Sequence, residues 1–363
     1  MADLTYKYEL KGKRTKRILR RHAWACNQVW NYCVQIQRKV QRNREEGLQG
    51  KWLNFYDMKA LAVGVSQDLG IHAQTVQNVV EQFCKSRDQH RKCPAFRKSG
   101  GPKRSLGWIP FQTQSRKITS SSVTYLKHKM RFFGVKSRPL PETAKGGAFV
   151  QDARGRWYAC LNVQVPNDNH SGIGDIGIDL GLIRLATTSD GKIYDAPKYF
   201  RKSEEALTIA QRAGNIERAR AINAKIKAQR LDHAHKISTQ LVQIYGTIYV
   251  GGVSSSRLTK TRMAKSVGDA GWSMLRNMLR YKASRHGAKF AVVDEKFTTQ
   301  RCSSCEEIPP SSPKGRGALG IRTWECSACG AIHDRDVNAA RNILALGRSV
   351  PPPVEESRVA HGR

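Results

Sequence analysis

Hydrophobic and polar positions change their period along the chain, and each change marks a different element. Residues 3–11 alternate, which is typical of a strand with one solvated face. Apolar residues then recur at helix spacing from Ala23 to Val40 and from Val76 to Cys84, with basic residues between them. The pattern predicts a strand followed by helices whose Trp and Phe side chains lie in the core rather than stack on bases.

Short alternating runs return over 108–166, after a Gly-rich and basic linker at 98–107. Residues 152–155, which read DARG, fit a hairpin turn. This segment predicts a small β-barrel or sandwich.

The second half of the chain predicts a mixed domain. Its expected elements are three antiparallel strands over 176–196, two helices over 202–244, a strand at 248–250, a helix over 268–286 and a strand over 289–293. With the helix that starts after residue 333, this is the element order of a ribonuclease H-like domain. The Pro-rich tail at 348–363 is predicted to be disordered.

The charge balance adds a partner to this picture. Lys and Arg number 63 against 29 Asp and Glu, which gives a formal net charge of +34. Self-repulsion of this size is usually tolerated because a polyanion neutralises it, so the charge favours nucleic acid over a solvated basic surface. No apolar run reaches the roughly 18–20 residues of a membrane helix, and the N-terminus lacks a signal-peptide pattern. We therefore expect an intracellular protein without a membrane partner.

Four of the nine cysteines form a metal-site pattern. Two C-x₂-C pairs, Cys302 with Cys305 and Cys326 with Cys329, are separated by twenty residues. Each pair can chelate from one tight turn, and two turns complete a tetrahedron around a structural Zn²⁺. The other five, Cys26, Cys33, Cys84, Cys93 and Cys160, are expected to be ordinary buried thiols.

Two acidic residues lie at positions where a carboxylate needs an explanation, one within an apolar strand and one at the start of a helix. Asp179, in the GDIGIDLG stretch, falls within an apolar strand, where it needs a partner or a metal. Asp336, in HDRDVNAARNIL, falls at a helix start, where complementing the helix dipole is the alternative explanation. The string GIDLG also begins actin-like kinases and chaperone ATPases, but the Gly-rich phosphate loops of those proteins do not follow here.

These segments together carry a resemblance. DIGIDLG, LDHAHKISTQLVQIYGTIYV, YKASRHG and FTTQRCSSC with WECSACGAIHDRDVNAARNIL resemble the TnpB family, transposon-encoded relatives of type V CRISPR effectors. The resemblance covers 171–346 and extends through QTVQNVVEQF and CPAFR into 1–170. It implies a multidomain α+β chain, namely a wedge β-barrel (1–15 and 99–170) interrupted by a helical recognition domain (16–98), a RuvC-like, ribonuclease H-like nuclease (171–297 and 333–347) with an inserted zinc ribbon (298–332), and the tail.

The resemblance also implies a function. The family uses a guide RNA whose base pairing selects a double-stranded DNA target, while the protein reads a short flanking motif. Asp179 and Asp336 would hold two Mg²⁺ ions with a third carboxylate. The expected setting is the cytoplasm of a bacterium or archaeon, with nucleoid association, and the oligomeric state stays open between monomer and dimer.

The third carboxylate is where this chain departs from the family. The family places a Glu at the end of the fourth strand, where this sequence has Gly251 or Gly252. Three alternatives follow. The site is inactive, it works with two carboxylates, or its third carboxylate comes from another position, as is understood for some subfamilies that this chain resembles. We favour Glu295 at the end of the neighbouring fifth strand, followed by Asp269 and then by Asp294, which should point to the opposite face.

Further basic residues complete the expected nucleic-acid contacts, and two other functions stay open. Expected contacts are Arg14, Arg17, Arg20, Lys260, Arg262 and Lys265. The main alternative function is an RNA-guided DNA-binding regulator that does not cleave. A zinc-ribbon RNA-binding protein without a DNA target is the third reading, against which Asp179 and Asp336 argue.

Overall fold

The computed structural model of the chain describes residues 2–46, 52–101, 103–112, 116–135, 138–144, 146–168, 172–252, 263–315 and 317–349. The chain divides into two compact units, of which the first is Asp3–Val165 and the second begins at Pro166. In the described part of the chain, every helix is too short or too polar to cross a membrane.

The first unit combines a sheet with helices. Its described elements are β1 (Ala2–Leu10), α1 (Lys13–Glu45), α2 (Phe55–Ala60), α3 (Val65–Leu69), α4 (Ala73–His90), β2 (Trp108–Gln112), β3 (Arg116–Thr119), β4 (Ser122–Tyr125), β5 (His128–Phe133), β6 (Gly146–Gln151) and β7 (Trp157–Val165). The strands form one seven-stranded sheet in the order β2-β6-β7-β1-β5-β4-β3. The predicted turn at 152–155 joins β6 to β7, and Gly155 takes the left-handed φ of +81° that the turn requires.

Most of the helix-spaced apolar residues of α1 and α4 lie in the core as predicted, but one tryptophan of α1 does not. Trp30 of α1 is 6% exposed and contacts the buried Phe83 of α4, with ring centroids 5.4 Å apart. Trp24 is 47% exposed, which contradicts the expectation that the Trp residues here are core. It directly follows the buried Ala23 and so falls on the solvated side of the helix.

The second unit contains a five-stranded mixed sheet with helices and a small two-stranded sheet. Its described elements are β8 (Asp175–Asp179), β9 (Arg184–Thr188), β10 (Ile193–Asp195), α5 (Tyr199–Arg212), α6 (Ile216–Ile244), β11 (Thr247–Gly251), α7 (Ala264–Ala270), α8 (Trp272–His286), β12 (Lys289–Val293), a 3₁₀ turn (Gly317–Gly320), β13 (Thr323–Glu325), β14 (Ile332–Asp334) and α9 (Arg335–Ser349). The large sheet has the order β10-β9-β8-β11-β12, and β13 pairs with β14.

Strands β8, β11 and β12 of the large sheet run parallel, so their carboxyl ends meet at one edge. Ile178 of β8 lies opposite Val250 of β11, and Gly251 lies opposite Val293 of β12. Side chains that follow these strands are therefore brought together, as in other open sheets with parallel strands.

Helix α9 packs unusually close to this sheet because glycines remove side chains at the contact. A Cβ on Gly177 of β8 would lie 2.1 Å from the carbonyl oxygen of Ala340. A Cβ on Gly347 of α9 would lie 2.3 Å from the ring of Tyr249 in β11. Gly177, the first glycine of the GIDLG stretch, thus allows α9 to pack closely on β8. This packing brings the start of α9 near the end of β8.

Two predicted boundaries need correction. The helix expected over 268–286 is interrupted at Gly271, whose φ of +66° ends α7 and precedes α8. The tail expected from 348 begins later, because α9 continues to Ser349. The remainder of the predicted tail, 350–363, lies outside the described residues.

Candidate functional site

Asp179 ends strand β8 in a setting that disfavours its charge. Burial, followed by the nearby carboxylates of Asp336 and Glu295, raises the pKa of Asp179 from 3.8 to about 7, and Arg335 and Arg322 only partly oppose this. The ionised form of Asp179 is therefore disfavoured by burial first and by the neighbouring carboxylates second, and a bound cation would favour it.

Glu295 lies against Gly251, the first of the two glycines at the end of β11. A Cβ on Gly251 would be 2.9 Å from Oε2 of Glu295 and 3.1 Å from Cδ1 of Ile343. A Cβ on Gly252 would instead meet the carbonyl oxygen of Val293 at 3.0 Å. Of the two glycines, Gly251 is thus the one that faces the Glu295 carboxylate, and its missing side chain leaves the space in which that carboxylate lies. Burial raises the pKa of Glu295, with Arg276 opposing and Asp294 adding to the effect.

Asp336 lies on the first turn of α9 and is paired with arginines. Nη1 of Arg322 donates to both of its carboxylate oxygens at 3.1 Å, and Nη1 of Arg184 approaches it at 3.4 Å. Asp334 caps the helix, since its Oδ1 accepts from the backbone amides of Asp336 at 3.0 Å and Val337 at 3.1 Å. Sequence reasoning missed Arg184, Arg322 and Asp334, and only the acidic Asp334 beside Asp336 gave a signal.

The three carboxylates approach one another without forming a closed ligand set. Among the described residues, only the four cysteines form a group of three or more potential ligands whose donor atoms all lie within 4.8 Å of one another. Asp336 is paired with Arg322 and Arg184, and without a cation like charges repel one another.

The other two acidic candidates lie in structural roles. Asp269 is 7% exposed, accepts from the backbone amide of Phe200 at 2.9 Å, and forms an ion pair with Arg230 at 2.8 Å. It thereby supplies the cap that the N-terminus of α5 lacks. Asp294 is exposed and accepts from the backbone amide of Lys296 at 3.1 Å. Neither carboxylate is directed at Asp179.

The four predicted cysteines come together as a cluster compatible with a structural zinc. Sγ of Cys302 lies 3.7 Å from Sγ of Cys329, and the same distance separates Cys305 from Cys326. Nε2 of the buried His333, which sequence reasoning missed, lies 3.0 Å from Sγ of Cys302. Burial opposes ionisation of Cys302, but hydrogen bonds from backbone amides and from His333 outweigh it and lower its pKa. At Cys305 and Cys329, backbone hydrogen bonds lower the pKa, but burial and the neighbouring thiols outweigh them and raise it, so one thiol of the group ionises before these two. Thiolate is the form that binds zinc.

The remaining cysteines only partly match the expectation of buried thiols. Cys26, Cys33 and Cys84 are buried, whereas Cys93 and Cys160 are half-buried. Burial raises the pKa of both Cys26 and Cys33 to about 12, so these thiols stay protonated and unreactive.

The predicted nucleic-acid contacts are distributed over both units. Arg14, Arg17 and Arg20 are exposed on α1 of the first unit. Lys265 is exposed on α7, but its Nζ already pairs with Glu204 at 2.6 Å. Lys260 and Arg262 lie outside the described residues.

Sheet, carboxylates and cysteines define a mixed α/β protein with an acidic site at the carboxyl edge of a parallel strand set and a four-cysteine cluster beside it. Two protein-family profiles match the sequence of the second unit and the residues just before it. The profile described as "Probable transposase" matches residues 158–262, and the profile "Cas12f1-like, TNB domain" matches residues 272–343. The predicted resemblance to the TnpB family is confirmed.

Curated relatives agree with these profiles. A Streptomyces pristinaespiralis protein, provisionally named an RNA-guided DNA endonuclease, is 36% identical over 230 residues, which are 58% of this chain and 55% of that protein's own length. The provisionally named RNA-guided DNA endonuclease InsQ of Escherichia coli is 25% identical over 95% of this chain and 92% of its own length. The CRISPR-associated endodeoxyribonuclease Cas12f1 of Sulfoacidibacillus thermotolerans is 26% identical over 53% of this chain and 50% of its own length.

Solved structures of Cas12f complexes align with most of the chain. A Cas12f1–sgRNA–target DNA complex matches at 14% identity and a TM-score of 0.37, covering 95% of this chain and 99% of that chain. A CRISPR–Cas12f ternary complex matches at 14% identity and a TM-score of 0.38, covering 92% and 82%. TM-scores of this size are too low to establish a common fold.

Proposed function

We propose that this protein is an RNA-guided DNA endonuclease whose third catalytic carboxylate, Glu295, is displaced from the fourth strand to the end of the fifth. The observation that carries the proposal is the 2.9 Å between Oε2 of Glu295 and the Cβ position of Gly251, beside the strand that ends at Asp179. The sheet order β10-β9-β8-β11-β12 supports a ribonuclease H-like domain for this half of the chain.

The acidic edge fits divalent cations in its chemistry. Carboxylate oxygens are the ligands that Mg²⁺ prefers. Burial, followed by repulsion from Asp336 and Glu295, raises the pKa of Asp179, and a bound cation would favour its ionised form. Asp179, Glu295 and Asp336 would hold the metal, and a bound pair of ions would activate water and stabilise the leaving oxygen. Arg184 and Arg322 hold the carboxylate of Asp336 at the start of α9.

The partners follow from charge and relatives. A net charge of +34 suits a chain that holds both a guide RNA and a target duplex. In this proposal the sheet of the first unit is the wedge, its helices are the recognition domain, and the cysteine cluster holds Zn²⁺ in a ribbon beside the nuclease site. The setting would be the bacterial or archaeal cytoplasm.

The test compares two adjacent carboxylates in a cleavage assay. The protein is produced with the non-coding DNA that flanks its gene, bound RNA is sequenced, and cleavage of matching duplex DNA is measured with Mg²⁺. Glu295→Ala should reduce the rate by about 100-fold or more, because it removes a group that stabilises the transition state through the metal. Asp294→Ala, which changes the neighbouring exposed carboxylate, should cleave like the unmodified protein.

Two other results would change the assignment. Equal cleavage by Glu295→Ala and the unmodified protein would show that Glu295 is not the third ligand. Binding of guide and target without any cleavage would favour the RNA-guided regulator.

A further inference from the structure

Two buried asparagines of α9 contact the turn that carries Glu295. Asn338 is 1% exposed and Asn342 is 4% exposed. Nδ2 of Asn338 donates to the carbonyl oxygens of Arg301 at 2.8 Å and Thr298 at 3.3 Å. Nδ2 of Asn342 donates to the same two oxygens at 2.7 Å and 2.8 Å. Side chains four residues apart on one helix face thus converge on one pair of carbonyls.

The contacted segment, residues 295–303, is called the glutamate turn below. At its start, the backbone amide and the hydroxyl of Thr298 both donate to the carbonyl oxygen of Glu295, at 3.2 Å and 2.9 Å. At its end, the backbone amide of Ser303 donates to Oδ1 of Asn338 at 2.9 Å. The asparagines therefore contact the end of the turn next to Cys302 and also its middle, where Thr298 in turn bonds to the backbone of Glu295.

The backbone of the glutamate turn needs such external support. Phe297 has a φ of +65°, a left-handed conformation that is costly for a residue with a Cβ. Its ring is 46% exposed, so its own packing contributes little to holding that conformation. Strained residues of this kind persist where the surroundings fix them. The carbonyl oxygen of Phe297 accepts from the backbone amides of Gln300 and Arg301, both at 2.9 Å, and the asparagine amides hold Thr298 and Arg301 on the same turn.

We propose that Asn338 and Asn342 position the carboxylate of Glu295 relative to Asp336, an inference that rests on the proposed nuclease function. Asp336 lies on the same helix, two residues before Asn338, so one rigid element carries both the ligand and the amides. A glutamate within β11 would be fixed by strand pairing. Glu295 instead follows Val293, the last residue of β12, and lies beyond the ladder.

The test measures binding of Tb³⁺, a luminescent ion that shares the preference of Mg²⁺ for carboxylate oxygens. Full-length zinc-loaded protein is used without guide or target, so the result does not depend on cleavage. Trp272 donates to the carbonyl oxygen of Gly181 at 3.0 Å, two residues beyond Asp179, and can sensitise an ion bound there. Luminescence that is lost in Trp272→Phe marks the site.

A double-mutant cycle separates positioning from general structural damage. Asn342→Ala should raise the half-saturating Tb³⁺ concentration about tenfold or more, the effect typical of a residue that orients a metal ligand. In a Glu295→Gln background, Asn342→Ala should add no further loss. Multiplicative losses, or no loss in Asn342→Ala alone, would overturn the inference. Asn342→Ser, a smaller change, provides the same comparison if the alanine variant does not fold.

Two comparisons keep the outcomes distinct. Asn31→Ala removes a matched amide in the first unit, where Nδ2 donates to the Arg97 carbonyl oxygen at 3.0 Å and Oδ1 accepts from its amide at 2.7 Å. It should lower stability without changing Tb³⁺ binding. If Glu295→Gln itself binds Tb³⁺ like the unmodified protein, the ligand assignment fails along with the inference. If Glu295→Gln weakens Tb³⁺ binding and Asn342→Ala weakens it further in that background, Glu295 remains a ligand and only the positioning role of the asparagines is refuted.

Discussion

Replacing Asp179 by Asn should stabilise the protein in the absence of Mg²⁺, although it should abolish cleavage. The carboxyl group has a pKa of 3.8 in an unfolded chain and about 7 in the folded protein. A folded-state pKa that is raised means that folding is penalised once the group must ionise. The penalty is absent below pH 4, grows as the pH rises from about 4 to about 7, and is constant above that range.

The size of the penalty follows from the two pKa values. At 1.36 kcal/mol per pH unit, the difference corresponds to about 4 kcal/mol, and the half-buried position of the carboxyl group reduces the expectation to about 2–4 kcal/mol. Hydrogen exchange of β8 and β11 peptides across a urea series, at pH 4 and pH 8.5, reports unfolding of this sheet alone. Asp179→Asn should match the unmodified protein at pH 4 and exceed it at pH 8.5.

A second carboxylate on the same strand gives the opposite sign. Hydrogen bonds from Thr247 and then Arg348 lower the pKa of Asp175, so its ionised form stabilises the fold. Asp175→Asn should therefore lose stability above the pKa, by less than about 1 kcal/mol because Arg348 is mostly exposed. If Asp179→Asn is neutral or destabilising at pH 8.5, ionised Asp179 carries no penalty from burial and from the neighbouring carboxylates, and the prediction is wrong.

Three further outcomes are expected. Gly177→Ala should cost about 3 kcal/mol in urea unfolding, because the new Cβ meets backbone of α9 at 2.1 Å, whereas Gly268→Ala, with open space around it, should be neutral or stabilising. Gly251→Ala should lower Mg²⁺-dependent cleavage about 10- to 100-fold by displacing the Glu295 carboxylate, and unchanged cleavage would contradict this. Zinc removal should abolish hydrogen-exchange protection at both C-x₂-C turns and in the glutamate turn. Unchanged protection of the glutamate turn after zinc removal would show that its structure is independent of the cysteine cluster.

Local pattern was enough to predict much of the second unit. Short runs of apolar and β-branched residues located β8, β9, β11 and β12, and the burial of β8, β9 and β11 is nearly continuous rather than alternating, as in strands covered on both faces. The paired cysteines were found because metal chelation fixes their spacing within the sequence itself. The break at Gly271 was missed because the apolar spacing continues across it, and one left-handed residue leaves no mark on that spacing.

Long-range contacts were less predictable. Asp269 looked like a possible ligand because it follows β11 in sequence, but its carboxylate is used by the amide of Phe200 and the guanidinium of Arg230. No local sequence rule shows that the N-terminus of α5 lacks a capping side chain of its own and is capped by Asp269 of α7. The asparagines of α9 read as polar interruptions of a helix face, since the two carbonyls that they bind are about forty residues away along the chain.

The cysteine cluster and the acidic edge share one stretch of chain, which argues that the proposed zinc site supports the proposed nuclease site. The glutamate turn holds Glu295 at one end and Cys302 at the other. On the opposite side, β14 places His333 against Cys302, and the next residue, Asp334, caps the helix that begins with Asp336. A change in the thiolate cluster therefore reaches two of the three carboxylates through one or two hydrogen bonds each. Only Asp179, fixed by the parallel pairing of β8, should keep its position when zinc is lost.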